Sequence, residues 1–410
     1  MTEKGKNTPI VRFKGFTDAW EQRKLDDVVS FYSGLTYTPN DVRKDGTLVL
    51  RSSNVKDGEI VSSDDVFVDS SKVNSNNVEE GDIIVVVRNG SRALIGKHAQ
   101  IKHLMSNTVI GAFMTGIRSN VPEFINAMLD TSRFKKEIDR NMGATINQIT
   151  GYMFSKMIFS VPTDDEKKKI GRFFEALDNL TVLHQRQLDE QKALKKYFLQ
   201  NMFPAKGEKI PRIRFQGFTG DWEERKLGEL VIIERGGSPR PIDAYITDAQ
   251  DGLNWVKIGD APEQGRYITH TEEKIKPSGL SKTRQVFQGD LILSNSMSFG
   301  KPYIMDIQGC IHDGWLLIRN NQNVFDLKFL CQMLGTEQML AQYRQLAAGS
   351  TVNNLNKELV SNAIVKVPRK VEQEKIGTFL ESIDNVIALH QRQLTQLQAV
   401  KKFMLQNLFI

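Results

Sequence analysis

The stretch Val11-Arg-Phe-Lys-Gly-Phe-Thr-Asp-Ala-Trp-Glu-Gln-Arg-Lys-Leu25 returns as Ile213-Arg-Phe-Gln-Gly-Phe-Thr-Gly-Asp-Trp-Glu-Glu-Arg-Lys-Leu227. A second pair lies downstream. Lys169-Ile-Gly-Arg-Phe173 with His184-Gln-Arg-Gln-Leu188 is matched by Lys375-Ile-Gly-Thr-Phe379 with His390-Gln-Arg-Gln-Leu394. The offset is 202 positions from Arg12 to Arg214 and 206 from His184 to His390. Two frames of about 205 residues therefore follow one another with little net insertion, an internal duplication. The edges of the repeats match and their middles diverge, as expected of a chain that performs one job on two different targets.

Composition bounds the class. A chain of 410 residues holds two or more domains, and 40% hydrophobic with 25% charged residues is ordinary for a globular protein. A net charge of +6 leans mildly toward a polyanionic partner. Cys310 and Cys331 lack CxxC spacing or clustered histidines, so they read as thiols of a reducing compartment. Met1 leads into Thr-Glu-Lys-Gly-Lys-Asn without an apolar run, and no stretch approaches 18 apolar residues. The expected location is cytoplasmic, with no membrane partner.

Residues 25–118 alternate β-branched runs such as Ile83-Ile-Val-Val-Val87 with turn signals at Asp45-Gly46, Asp57-Gly58 and Asn89-Gly90. The second half repeats the pattern with Leu253-Asn-Trp-Val-Lys-Ile258 and Trp315-Leu-Leu-Ile318. Helices are predicted over Pro122–Asn141 and Asp326–Ala348. From about Thr163 to Asn201 and from Arg369 to Asn407 the only breakers are Gly171 and Gly377. Ile170, Phe173, Leu177, Leu180 and Ile376, Phe379, Ile383, Val386 recur at coiled-coil spacing. Each helix of about 39 residues would extend roughly 58 Å. The same steps lead to His184 and Gln187, and to His390 and Gln393, unless drift in phase hands the seam to Leu183 and Leu188. Neither helix is stable alone, so antiparallel pairing with the other is expected, bringing Met1 near Ile410.

The fold class predicted is α+β: two pseudo-twofold-related mixed α/β target-recognition domains separated by a long antiparallel two-helix coiled coil. The boundaries are 1–162 and 204–366 for the domains, and 163–203 and 367–410 for the helices.

No catalytic constellation stands up. Gly90-Ser-Arg-Ala-Leu-Ile-Gly96-Lys97 misses the spacing of a phosphate-binding loop and carries His98 where Ser or Thr belongs. Asp164 and Glu166 complement the start of a helix without a metal. No catalytic, cofactor or metal residue is assigned, and the chain is not expected to be an enzyme.

The repeated Pro-x-x-Arg-Phe-x-Gly-Phe opening (Pro9 to Phe16, Pro211 to Phe218), the repeated Trp20 and Trp222, and the repeated terminal helices closely resemble the specificity subunit of type I restriction–modification systems. The resemblance covers the whole chain. It implies a non-catalytic, sequence-specific subunit that recognises a bipartite asymmetric site on double-stranded DNA. It further implies that two methylation subunits dock on the helices and that restriction subunits join outside them. S-adenosylmethionine, ATP and Mg2+ are then expected on those partners and none on this chain. A stand-alone bipartite DNA-binding regulator, or a coiled-coil linker between unrelated domains, are the alternatives.

Residues that differ between repeats are where two targets would be told apart. Arg and Lys suit guanine edges or phosphates, and Asn suits adenine. The DNA-binding candidates are Arg51, Asn54, Arg88, Asn89, Arg92 and Lys97 in the first half. In the second they are Arg235, Arg240, Lys257, Lys282, Arg284, Asn295, Ser296 and Lys301. Partner-binding candidates on the helices are Phe174, His184, Arg186, Tyr197, Phe198, His390, Arg392, Phe403 and Met404. The shared turn Gly143-Ala-Thr-Ile-Asn147, matching Gly349-Ser-Thr-Val-Asn353, suits either a phosphate contact or scaffolding.

Overall fold

A computed structural model describes residues 8–142, 147–262, 265–295, 300–347 and 355–410. They form two compact units, Met1–Leu183 with Leu394–Ile410, and His184–Gln393. In the first unit, Ile83–Val86 is buried throughout. Four adjacent β-branched side chains favour an extended chain and suit a covered strand. This strand sits inside an antiparallel sheet ordered Ser30–Ser33, Met114–Arg118, Ile83–Val86, His98–Gln100. A smaller sheet follows the order Thr108–Ile110, Thr47–Leu50, Val66–Val68, Val42–Arg43, and its first pair is parallel.

The second unit repeats the plan. Leu291–Ser294 lies between Trp315–Arg319 and Pro302–Met305, with Ile232–Arg235 on one edge and Tyr267–Ile268 on the other. Its smaller sheet again contains a parallel pair, Leu253–Val256 with Gly309–Ile311. A two-stranded ribbon completes each unit: Glu21–Lys24 with Ile158–Val161, and Glu223–Lys226 with Ile364–Val367.

The helices are α1 (Pro122–Leu129), α2 (Ser132–Asn141), α3 (Gly151–Ser155) and α4 (Asp164–Asn201), then α5 (Leu327–Leu334), α6 (Glu337–Ala347), α7 (Lys357–Ser361) and α8 (Lys370–Leu408). The single helices predicted over 122–141 and 326–348 are each two. The Thr131 hydroxyl accepts from the Phe134 N–H at 3.2 Å and starts a new helix, and Thr336 does the same for Met339 at 3.3 Å. α4 begins in the first unit and ends in the second, and α8 does the reverse.

Both units fasten their opening motif in the same way. Arg12 donates to both carboxylate oxygens of Glu166 at 2.7 Å, and Arg214 to those of Glu372 at 2.7 and 2.8 Å. The two glutamates are buried. Glu166 is thus one half of a buried ion pair and not merely an acid suited to a helix start. Asp164 is closer to that reading and pairs with Lys167 at 3.0 Å. The Val11 N–H donates to Asn407 at the end of α8, and the Ile213 N–H to Asn201 at the end of α4. Trp20 meets Phe409 edge-on, as Trp222 meets Phe203. Met1 itself lies outside the described residues.

The helix seam is antiparallel within each unit, but its phase differs from the one predicted. Ile170, Phe174, Leu177 and Leu188 are buried on α4, and Ile376, Leu380, Ile383, Ile387 and Leu394 on α8. Leu180 and Leu183 stand exposed. Phe173 and Phe379 leave the seam because the opening motif claims them, Phe13 and Phe215 packing edge-on at 5.6 and 5.8 Å. His184 and His390 stay in the seam and face each other with Nδ1 atoms 3.1 Å apart.

Candidate nucleic-acid interface

The site forms at the end of the central strand, where each unit uses the same backbone bonds. In the first, Val86 donates to Lys97 O (2.8 Å), Gly96 to Val86 O (2.9 Å), Val87 to Phe113 O (3.0 Å) and Ile149 to Val87 O (2.8 Å). In the second, Ser294 donates to Lys301 O (3.0 Å), Gly300 to Ser294 O (2.9 Å), Asn295 to Gly314 O (3.0 Å) and Leu355 to Asn295 O (3.0 Å). Gly96 and Gly300 both have positive φ, which lets the chain turn back tightly before the lysine. Lys97 and Lys301 therefore occupy one register. A cation shared by both units cannot distinguish their targets.

In the first unit Arg51, Arg88 and Asn89 are brought together. Asn89 donates to Ser52 Oγ at 3.1 Å and accepts from the Ser91 N–H at 2.9 Å. Arg51 Nη2 donates to Asp64 O. Arg88 is exposed and lies 4.9 Å over the Phe113 ring, itself 54% exposed. Arg92 stands 3.9 Å from Asp139. Lys97 lines a cavity of about 700 Å³ with Lys135, Lys401 and Lys402. Asn54 is a correction. It is fully buried, and its amide donates to Val61 O, Ser63 O and Asp65, bracing the loop instead of facing DNA. Of the shared turn only Asn147 is described. Its side chain donates to Gly90 O at 3.0 Å, a scaffolding bond, while 143–146 and 349–353 lie outside the described residues.

In the second unit several candidates converge on Asp313. Arg240 stands 3.6 Å from its carboxylate, and Arg235 Nε donates to its main-chain oxygen at 3.5 Å. Ser238 and His312 contact the carboxylate at 2.9 and 3.0 Å. Asn295 is buried and donates to Asp313 O at 2.8 Å, so it too holds the frame and is corrected. Lys282 packs on the Tyr245 ring, Arg284 stands 3.5 Å from Glu234 and Lys257 pairs with Glu273 at 2.7 Å. The hydrogen bond that Lys257 donates to Glu273 raises the pKa of the lysine. Lys301 lies 5.0 Å over Tyr303. Ser296 lies outside the described residues. Sequence reasoning missed Phe113, His312 and Asp313, because each is told from a core or turn residue only by its exposure at a strand end.

A family model for the type I restriction modification DNA specificity domain matches residues 17–192 and again 219–399. The chain belongs to that family. The specificity subunit of the type I restriction enzyme StySPI from Salmonella potsdam is 24% identical over 400 residues, covering 89% of this chain and 82% of that one. The MjaVIII specificity subunit from Methanocaldococcus jannaschii is 24% identical over 342 residues, covering 79% and 77%. The crystal structure of the type I restriction–modification S subunit from M. genitalium has the same fold. It gives a TM-score of 0.68 at 13% identity and covers 98% of this chain and 99% of that one. This specificity subunit is α+β with two repeated domains and is not catalytic.

The helices carry the remaining candidates. Phe174 is a correction: it is buried against Phe409 in the first unit's core and unavailable to a partner. Tyr197 and Phe403 are each more than half exposed, while Phe198 packs on Phe379 and Met404 on the first core. Arg186 pairs with Glu190 along the helix surface, and Arg392 is exposed. Two lysines that sequence reasoning passed over, Lys195 buried and Lys401 partly buried, join the helices to each other. Lys401 meets Asp130 and Asp178 at 2.7 and 2.6 Å, and Lys195 meets Asp384. Among the described residues no group of three or more His, Cys, Asp or Glu could hold a metal ion, and no helix is long and apolar enough to cross a membrane.

Proposed function

We propose that this specificity subunit addresses its complex to a bipartite, asymmetric site on double-stranded DNA, one half-site for each unit. The observation that carries the reading is the strand end built twice. Four equivalent backbone bonds hold it in both units, while Phe113 under Arg88 in one gives way to Gly314 beside Asp313 in the other. A fixed frame with exchangeable side chains is what reading two base sequences requires.

Two methylation subunits would dock on α4 and α8. Tyr197 and Phe403 lie 206 positions apart, the same offset as the histidines, so the two helices present equivalent exposed aromatics. Equivalent surfaces take two copies of one partner. Restriction subunits would join outside them, with S-adenosylmethionine, ATP and Mg2+ held by the partners and the complex working in the cytoplasm.

The test is to co-express the full chain with its methylation subunit in a methylation-free host and map methylated adenines by long-read sequencing. A two-part motif is expected. Exchanging residues 30–118 for those of a relative should change one half of it. Loss of both halves together, or DNA binding without methylation, would sink the proposal in favour of a stand-alone regulator.

A further inference from the structure

We infer that Arg88, held over Phe113, reads a guanine in the half-site addressed by the first unit. The inference rests on the DNA-reading role proposed above and names the chemistry of one position.

Most nominated arginines already have partners: Arg51 has Asp64, Arg92 has Asp139 and Arg240 has Asp313. Arg88 differs. Among the described residues its guanidinium has no hydrogen-bond or ion-pair partner, although it is exposed beside a strand end. A ring supports the flat face of a guanidinium without using its N–H groups. The donors are thereby left for another partner, and an arginine edge can meet guanine O6 and N7 together.

The backbone under this pair is fixed. The Arg88 N–H donates to Phe113 O at 3.2 Å, Arg88 bridges Gln148, and the Asn89 N–H donates to Asn147 O at 3.3 Å. The neighbouring Asn89 amide is already tied to Ser52 and Ser91. The supporting ring is peculiar to this unit. Val86 pairs with Met114 and Ser294 with Trp315, which puts Gly314 in the register of Phe113. This guanine contact is thus assigned to the first unit's half-site, and Phe113 is a positioning residue for it.

The experiment uses the full chain assembled with its methylation subunit. The wild-type motif is mapped first, and exchange of 30–118 shows which half belongs to the first unit. Arg88→Ala should relax a guanine in that half by roughly tenfold to a hundredfold and leave the other half unchanged. Phe113→Leu should relax the same position by less. Placing 7-deazaguanine, which lacks the N7 acceptor, at that position should weaken methylation by the wild type and have no added effect on Arg88→Ala. A uniform loss of activity with an unchanged motif would mean a phosphate contact and overturn the inference. So would a first half-site without guanine. Either result leaves a two-part motif, and with it the broader proposal, standing.

Discussion

Arg12 grips Glu166 and Arg214 grips Glu372 through the same two bonds, whereas the exposed Arg88–Phe113 stack of the first unit has no counterpart among the described residues of the second. There, Asp313 gathers Arg235, Arg240, Ser238 and His312 at the equivalent strand end. The duplicated residues lie where the opening motif meets a long helix, and the divergent ones lie where the central strand stops. Duplication has preserved the frame to the level of single hydrogen bonds and left the recognition surface free to change.

The strongest way to break this comparison is to remove the arginine of each frame pair. Arg12→Ala or Arg214→Ala leaves a buried glutamate without its partner, which costs about 3–5 kcal/mol. We expect amide hydrogen exchange to rise in the unit that carries the substitution and to hold steady in the other. Equal loss of protection in both units would mean that they do not fold as separate compact bodies.

Such pairs explain how far the sequence could be read. The repeat was legible because Arg12, Trp20, His184 and Gln187 recur with their neighbours at constant offsets. The long helices were legible from composition. Their seam was not, because Phe173 satisfies the spacing yet is claimed by Phe13, a tertiary contact that periodicity cannot register. The strand-end lysines, Lys97 and Lys301, were named as DNA readers without notice that they share one register. Asn54 and Asn295 misled because a buried amide and a base-reading amide are the same letter; only burial separates them.

The seam lysines sharpen the comparison, since here the two frames part. Lys401 lies between Asp130 and Asp178, while Lys195 has Asp384 and also feels the positive charge of Arg266. Burial and Arg266 lower the pKa of Lys195 from its ordinary 10.5. The same burial at Lys401 is outweighed by its two carboxylates, and its pKa rises. The signs follow from linkage. Lys401 stabilises fully below pH 10.5 and loses that contribution as pH climbs past it. Folding disfavours the charged form of Lys195 relative to the unfolded chain, so its unit gains stability as pH rises toward 10.5. Hydrogen exchange compared at pH 9 and pH 11 should show the first unit weakening relative to the second. Lys401→Met strands two carboxylates and should cost about 3 kcal/mol, whereas Lys195→Met strands Asp384 alone, still bonded to Gln332, and should cost about 1–2. Equal costs in chemical denaturation would refute this account of the difference.

The smallest effect concerns the two glycines that read as helix breakers. Gly171 and Gly377 lie inside unbroken helices, and each marks a close approach instead. A Cβ on Gly171 would stand 2.8 Å from the Phe124 backbone nitrogen. On Gly377 it would stand 2.6 Å from Asp326 Oδ1 and 2.7 Å from the Phe329 nitrogen. Both contacts fall at the first turn of the short helix packed alongside, α1 or α5. Helix propensity alone predicts that Gly→Ala would stabilise by about 1 kcal/mol. Backbone atoms in a packed first turn cannot withdraw as a flexible side chain could, and overpacking costs about 1–3 kcal/mol. The balance should be a net destabilisation of about 1 kcal/mol at either site. It should be slightly larger at Gly377, where the Asp326 carboxylate also caps α5 through the Phe329 N–H at 2.8 Å. Thermal or urea denaturation of Gly171→Ala and Gly377→Ala decides the matter. If either variant is more stable than the parent, that helix has room to slide, and the frames are less alike than their shared hydrogen bonds imply.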